Sequence, residues 1–416
     1  MQSLKSRIGI QNTATKEIYT FETNATVSLF YKICTIVFFG CGNNFMFDDL
    51  KLPRKVVEIC RIVSKVLGLL VVMLVCSTST AFFTQHNLDM MHKAKLWLYG
   101  PPLVTLNVLY FNTVLRKNQI KKLSYTIAVV LRGMFNDEEL EKEMVRKTWR
   151  FSFAFAFLVI GLFSSTGIVT GYVAGTTNET FTIMIPAWPD LNDHSHAASI
   201  ARIAHYCIWL MLLIRVGCLY FVILAVTIGL QFQFSIMCNY FHSLNIIFAG
   251  EDSHEEKENN YEEAFKFGIT MHYLTLWCID QTQVTFGVAF SSQFITNLVT
   301  LISLMVQFMY MDRTFGNCLT VFLYAGAVLT STGIFMWNAG DVTFEATKLH
   351  TAMFNSGWHN CRGRASVRVR KMLTIAIRQA QDRVTIKGFG ILELSYESYI
   401  SMVKLAYSVF SVLSQK

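Results

Sequence analysis

The amino-acid sequence predicts an all-α membrane protein with seven transmembrane helices, its N-terminus cytoplasmic and its C-terminus extracellular. Three observations carry this. Of 416 residues, 53% are hydrophobic and 15% charged, with a mean hydropathy of +0.39, outside the range of an ordinary soluble globular protein. Seven apolar runs are long enough to cross a hydrocarbon core, which takes about 20 helical residues. Lysine and arginine are also segregated to alternate connections, and such segments stay on the cytoplasmic side.

In chain order, residues 1–61 form a cytoplasmic leader. Within it Val27–Gly40 is apolar, but it is too short to cross and Lys32 interrupts it, which predicts an interfacial or re-entrant helix. The long polar stretch ahead of it differs from the brief basic start of a cleavable signal peptide. Residues 62–264 hold spans one to four: Ile62–Phe83, Trp97–Leu115, Phe151–Val173 and Ile203–Leu230. Residues 265–340 hold a long fifth helix, in which Phe265–Val284 projects from the membrane and continues into the span Phe286–Met311, and a sixth span, Leu319–Trp337. Residues 341–390 read as cytoplasmic anchor helices. Residues 391–416 form the seventh span, apolar from about Ile391 to Leu413.

The basic residues fix the orientation. Residues 1–65, 116–150 and 348–387 hold nine each, and Lys257 and Lys266 join them on the same side. The opposite side has Lys93, Lys95, Arg202, Arg313 and Lys416, while Arg215 and Lys404 lie within spans. The sequon Asn178-Glu-Thr then lies outside, available for glycosylation, whereas Asn24-Ala-Thr lies inside and stays unmodified. The ten cysteines show no CxxC spacing, so buried free thiols are expected rather than a disulfide framework or metal cluster. Asp190, Asp193, His194 and His196 cluster in an outer loop and read as solvated surface. No nucleophile–base pair, phosphate loop or nucleotide fingerprint is present. An enzyme, a cofactor and a nucleic-acid partner are therefore not expected. The orientation is the reverse of a G-protein-coupled receptor, and the NPxxY ending of that class is missing.

The terminal helix is unusual for one surrounded by lipid. Ser401, Lys404, Ser408, Ser411 and Gln415 follow at steps of three and four, which places them on one face. Polar groups are costly in hydrocarbon, so a single polar stripe predicts the wall of an aqueous path.

The C-terminal third carries a resemblance. "FMWNAGDVTFEATKLHTAMFNSGW", followed by "RKMLTIAIRQAQDRVTIKGFGILELSYESYISMVKLAYSVFSVL", resembles the ending of insect odorant receptors. The matching positions are Gly340 after span six, Trp358 closing the next helix, the pair Ala380–Gln381, and Leu394-Ser395 with Glu397 and Tyr399 at the entry to span seven. Where that family has proline after the Ala-Gln pair, this chain has Arg383. "MIPAWPD", Met184 to Asp190, resembles the segment such receptors carry before span four.

The resemblance implies a tetrameric, odorant-gated, nonselective cation channel in the plasma membrane, with span seven of each subunit lining the pore. It places the gate valine on Val412 and a neutral polar ring on Gln415, with Ser408 and Ser411 along the same wall. A valine ring can close a pore by excluding water. Lys404 and the short loop 231–265 resemble ligand-tuned subunits rather than the co-receptor, so the implied partners are a volatile odorant, a co-receptor subunit, membrane lipid and permeant cations. Candidate odorant contacts in the outer half are Tyr99, Phe163, Gly167, Tyr206, Trp209 and Tyr324. An apolar cavity with one or two polar handles suits a volatile ligand of about ten heavy atoms. The competing expectations are a gustatory receptor channel and, further off, a secondary transporter, although the inverted repeats of transporters are not visible.

Overall fold

A computed structural model of the chain describes residues 24–85, 88–177, 181, 183–191, 193–311 and 315–414. Asn178 and Gln415 lie outside the described residues, as does the side chain of Phe163. The described chain is almost wholly helical.

Helix α1 (Ala25–Cys41) begins at Asn24, whose side chain accepts from the amides of Thr26 and Val27, and ends at Gly42 in the left-handed region (φ 69°). One face of it is buried: Val27, Leu29, Phe30, Ile33, Cys34, Val37, Phe38 and Cys41 pack mainly against the helix His196–Ser243, and the Lys32 side is exposed. At seventeen residues the helix is too short to cross lipid. The first sequon is used structurally. Asn24 Nδ2 donates to Ala128 O (3.0 Å), and Thr26 Oγ1 donates to Glu141 Oε1 (2.5 Å).

The remaining helices follow the expected spans. They are α2 (Arg54–Thr84), α3 (Met90–Leu115, with Pro101 and Pro102 inside) and α4 (Lys117–Tyr125), which runs on through a π-helical turn at Thr126–Leu131. Then come α5 (Glu138–Thr177), α6 (His196–Ser243), α7 (His254–Tyr310), α8 (Phe315–Phe354), α9 (Ala365–Gln381) and α10 (Tyr396–Ser414). Among the described residues α2, α5, α6, α7 and α8 are long and apolar enough to cross a membrane by length and composition. The second and seventh expected spans lie in α3 and α10. His92, Lys93 and Lys95 dilute α3, and α10 is 19 residues long with a lysine and several serines.

Two boundaries differ from those drawn on the sequence. Both α7 and α8 run unbroken through them, at 264/265 and 340/341, because no proline or glycine pair interrupts the ladder there. The seventh apolar run starts in a two-stranded antiparallel hairpin, with Lys387 opposite Glu393 and Gly388 opposite Leu392. Ile391 sits in its turn, and α10 begins only at Tyr396. Arg383, in the place of the family's proline, ties this hairpin by an ion pair to Glu393 (2.7 Å).

Helix α6 is the axis of the bundle, packed by α1, α2, α5, α7 and α8. The N-terminal half of α7 meets α9 in a charged seam. Glu258 accepts from the amides of Arg362 and Gly363, and a Cβ at Gly363 would lie 2.7 Å from its carboxylate, so the loop needs glycine there. Burial alone would raise the Glu258 carboxyl, but those amides outweigh it and hold it below the ordinary value. Glu262 is held low first by the Arg368 guanidinium (Nη2 2.8 Å) and further by Lys266 (2.7 Å), against its burial.

The described residues of the loop before α6 pack onto the bundle. Ile183, Met184 and Ile185 are buried, and Ala187 N bonds Ser77 O (3.0 Å). Arg202 donates to the carbonyls of Asp190 (2.7 Å) and Asp193 (2.8 Å). Among the described residues no group of acidic, histidine and cysteine side chains is arranged to hold a metal.

Candidate functional site

The side chains of α3, α5, α6, α7 and α8 leave a cavity of about 110 Å³ between them. One wall is aromatic. Tyr99 meets Trp209 edge to face at 5.3 Å, and Phe155 meets Tyr220 in the same way at 5.5 Å. Tyr324 closes it from α8, and Leu98, Leu158 and Val216 fill in between. These rings are buried although they lie on four different helices. Each helix contributes through apolar positions three or four apart, which share a face.

The opposite wall is polar and comes from α7. Gln293, Thr296, Asn297 and Thr300 line the cavity at helical spacing. The Tyr220 hydroxyl donates to Gln293 Oε1, the hydroxyls of Thr105 and Thr296 bond at 2.5 Å, and Asn297 Nδ2 donates to the Thr332 hydroxyl. None of the lining residues carries a formal charge.

Of the residues expected to contact ligand, Tyr99, Trp209 and Tyr324 line this cavity. Tyr206 does not. It stacks behind Trp209 at 6.1 Å and joins it to Phe181 of the loop before α6, whose ring lies 5.6 Å from Tyr206. Gly167 is a notch for Tyr206, because a Cβ there would collide with the Tyr206 hydroxyl. The α7 wall was not among the expected contacts, which were sought only on spans two, three, four and six. The signal was present. Positions 293, 296, 297 and 300 form a polar stripe by the same spacing that marks the terminal helix.

A second constellation joins four helices near the start of α10. Lys147 of α5 donates to Gln231 of α6 (2.6 Å) and to Asp341 of α8 (2.6 Å), and the other Asp341 oxygen accepts from the Tyr396 hydroxyl of α10. Gly340 permits this approach, since a Cβ there would lie 3.0 Å from the Tyr396 ring. Trp337 meets Tyr399 at 5.9 Å. Ser395 caps α10 by accepting from Ser398 N (3.2 Å), and Leu394 and Ala380 are buried. Trp358 is fixed by its indole N–H to Phe354 O (2.9 Å).

Helix α10 packs on α7 and α8 by Met402 and Ala406, both fully buried against Leu301. Its polar stripe faces away from the bundle. Ser401, Lys404 and Ser408 are exposed, Ser411 is half-buried, and Val412 is 61% exposed on nearly the same face. The Ser408 hydroxyl donates back to Lys404 O (2.9 Å).

A bundle of long apolar helices around a partly open, uncharged cavity is the architecture of a multi-pass membrane protein. Residues 104–407 match the family described as "7tm Odorant receptor", and the chain belongs to that family. Two relatives from Drosophila melanogaster are similar over part of the chain. Odorant receptor 42b is 24% identical over 164 residues, covering 39% of this chain and 40% of the relative. Odorant receptor 22a is 25% identical over 158 residues, covering 38% of each. The similarity therefore spans about two-fifths of those relatives' length. The fold is similar to the insect olfactory receptor OR5 from Machilis hrabei. Its complex with eugenol has a TM-score of 0.77 at 12% identity, covering 94% of this chain and 100% of that one, and the structure without eugenol has a TM-score of 0.74 at 11% identity, covering 94% and 99%.

Proposed function

We propose that this chain is the ligand-tuned subunit of a tetrameric, odorant-gated, nonselective cation channel of the plasma membrane, assembled with a co-receptor. The observation that carries this reading is the uncharged cavity between Tyr99, Trp209 and Tyr324 in a chain of the odorant receptor family. A neutral volatile can enter such a site without leaving a charge unsolvated. That a structurally similar olfactory receptor is described in complex with eugenol supports a small organic ligand.

In this reading the seven spans run as the basic residues dictate, and α10 lines the pore with its exposed stripe. Val412 is the gate, followed by Gln415, with Ser408 and Ser411 along the wall. The ligand opens the channel only to the extent that it binds the open arrangement more tightly than the closed one. Coupling from bundle to pore runs through Lys147, Asp341 and Tyr396, which link α5, α6 and α8 to the base of α10. Four Lys404 side chains would repel cations, which favours an assembly in which this chain is a minority of the subunits. Asn178 is the proposed glycosylation position.

The test is patch-clamp recording of the chain expressed alone and with an odorant co-receptor during a panel of volatiles. Evoked cation current only in the pair is the expected result, and current from the chain alone would overturn the tuning-subunit role. Val412→Ala should raise the resting current or alter ion selectivity, and an unchanged channel would remove Val412 from the gate.

A further inference from the structure

The geometry points to a ligand class: a neutral molecule of about six heavy atoms bearing a hydrogen-bond-accepting oxygen, held by the Gln293 amide of α7. This rests on the cavity being the odorant site, and goes beyond it in naming what the site selects and which residue selects it.

Size comes first. A cavity of 150 Å³ is known to accommodate benzene, and this one measures about 110 Å³. The cavity is open on one side, so this volume favours a small ligand over the ten-atom one expected from the sequence without setting a hard limit. Charge comes second. No lining residue is ionisable to a carboxylate or an ammonium, so an ionised acid or amine would enter with no counter-charge, at a large desolvation cost.

Polarity comes third, and it is directional. Because the Tyr220 hydroxyl donates to Gln293 Oε1, the acceptor side of that amide is already engaged. Its Nε2 donors have no protein partner among the described residues, and the residue borders the cavity. Two turns further along α7, the Thr300 hydroxyl also borders the cavity with no protein partner among the described residues. Thr296 differs, being engaged by Thr105, and Asn297 spends its amide donor on Thr332. The free hydrogen-bonding capacity at the Gln293 end of the α7 wall is therefore an amide donor. A carbonyl oxygen satisfies it, while the hydrocarbon part lies against the aromatic wall. A hydrocarbon of the same shape leaves the amide desolvated and unpaired, and this penalty gives the site its discrimination.

The test uses 2-pentanone and 2-methyl-1-pentene, which share a skeleton and differ by oxygen against methylene. Each is applied to the chain with its co-receptor, as an agonist or as a competitor of any volatile that opens the channel. The ketone should act at three- to tenfold lower concentration. Gln293→Met removes the unpaired amide, so it should bring the two within about twofold, chiefly by raising the alkene's potency, and surface labelling of the channel checks that the variant assembles. Thr300→Val, two turns away, should leave most of the gap in place. Tyr220→Phe removes the hydroxyl from Gln293 but keeps the amide donor, so the ketone preference should survive it. A preference that persists undiminished in Gln293→Met, or a wild-type channel that does not favour the ketone, overturns the assignment. Responses to volatiles that are untouched by both Tyr99→Ala and Trp209→Ala would remove the cavity from odorant binding altogether, and this inference with it.

Discussion

Helices α2 and α6 are equally apolar, and the structure treats them in opposite ways. Of the most apolar stretch of α6, 61% is buried within the chain, against 11% for α2. Leu224 of α6 is fully buried, whereas Leu69 of α2 is 65% exposed. In water such a difference would be written into the sequence, because an exposed face has to be polar. In a bilayer lipid accepts leucine as readily as a protein interior does, so apolarity reports that a helix crosses and says nothing of what it touches. The few marks of the central helix are polar ones. Arg215 of α6 is buried with its guanidinium on the Ser64 hydroxyl (2.8 Å) and stacked over Tyr110 (3.9 Å), which fixes α2, α3 and α6 about one point.

The sharpest way to break the comparison is to make the same change in both helices. Leu224→Ala should cost about 2–5 kcal/mol, since it leaves a cavity in the core, and lower the thermal unfolding midpoint of the purified protein in detergent accordingly. If it proved neutral, α6 would not be the packed axis described here.

Next in size is a pH effect on the N-terminal half of α7, where packing against α6 resembles that of a soluble core. His272 is buried there, and desolvation lowers its folded pKa to about 4 from an ordinary 6.5. A depressed histidine binds its proton more weakly in the folded chain than in the unfolded one. Stability is therefore full above pH 6.5 and declines as the pH falls from 6.5 towards 4, by about 2 kcal/mol at pH 5. Glu258 and Glu262, also held low, lose stability in the same direction at still lower pH. Unfolding midpoints between pH 7 and 5 would check this, and His272→Leu should flatten the slope.

A smaller effect separates packing from coupling. Lys147→Met keeps the stem of the side chain but frees Asp341 and Tyr396 from α5. The expected outcome is a five- to tenfold change in the half-activating odorant concentration, about 1–1.4 kcal/mol of coupling, with cavity preferences between ligands unaltered. A change in ligand ranking instead would place the effect in the cavity. The smallest effect is expected at Leu69→Ala, within about 0.5 kcal/mol. A cost comparable to that of Leu224→Ala would show that a neighbouring subunit covers this face of α2.

The same physics explains which parts of the fold and site were legible. The apolar runs read as spans fall largely within described helices, and the fifth helix is continuous as expected, because a run of apolar residues at helical length has few other outcomes. For the short helix α1, composition alone did not show that one face packs into the groove beside α6. The start of the last span was read five residues early because Ile391 is apolar, although it sits in a hairpin turn and is 90% exposed. Of the aromatic candidates, Tyr99, Trp209 and Tyr324 converge on the cavity, whereas Tyr206 stops one layer behind it. The α7 stripe carried the same helical spacing as α10 but lay on span five, outside the spans on which ligand contacts were expected.

By itself, the sequence determined that the chain is helical, that it crosses a membrane, where the basic segments gather, and to which family its C-terminal motifs belong. These follow from local terms: the cost of polar groups in hydrocarbon, helical periodicity, and residue order. Only the tertiary structure decided that α6 rather than α2 is the axis, that one face of α1 packs beside α6, that the cavity has a polar wall on α7, and that Lys147, Asp341 and Tyr396 meet. Those depend on which apolar face opposes which, and lipid and protein reward apolar faces too nearly alike for one-dimensional patterning to distinguish them.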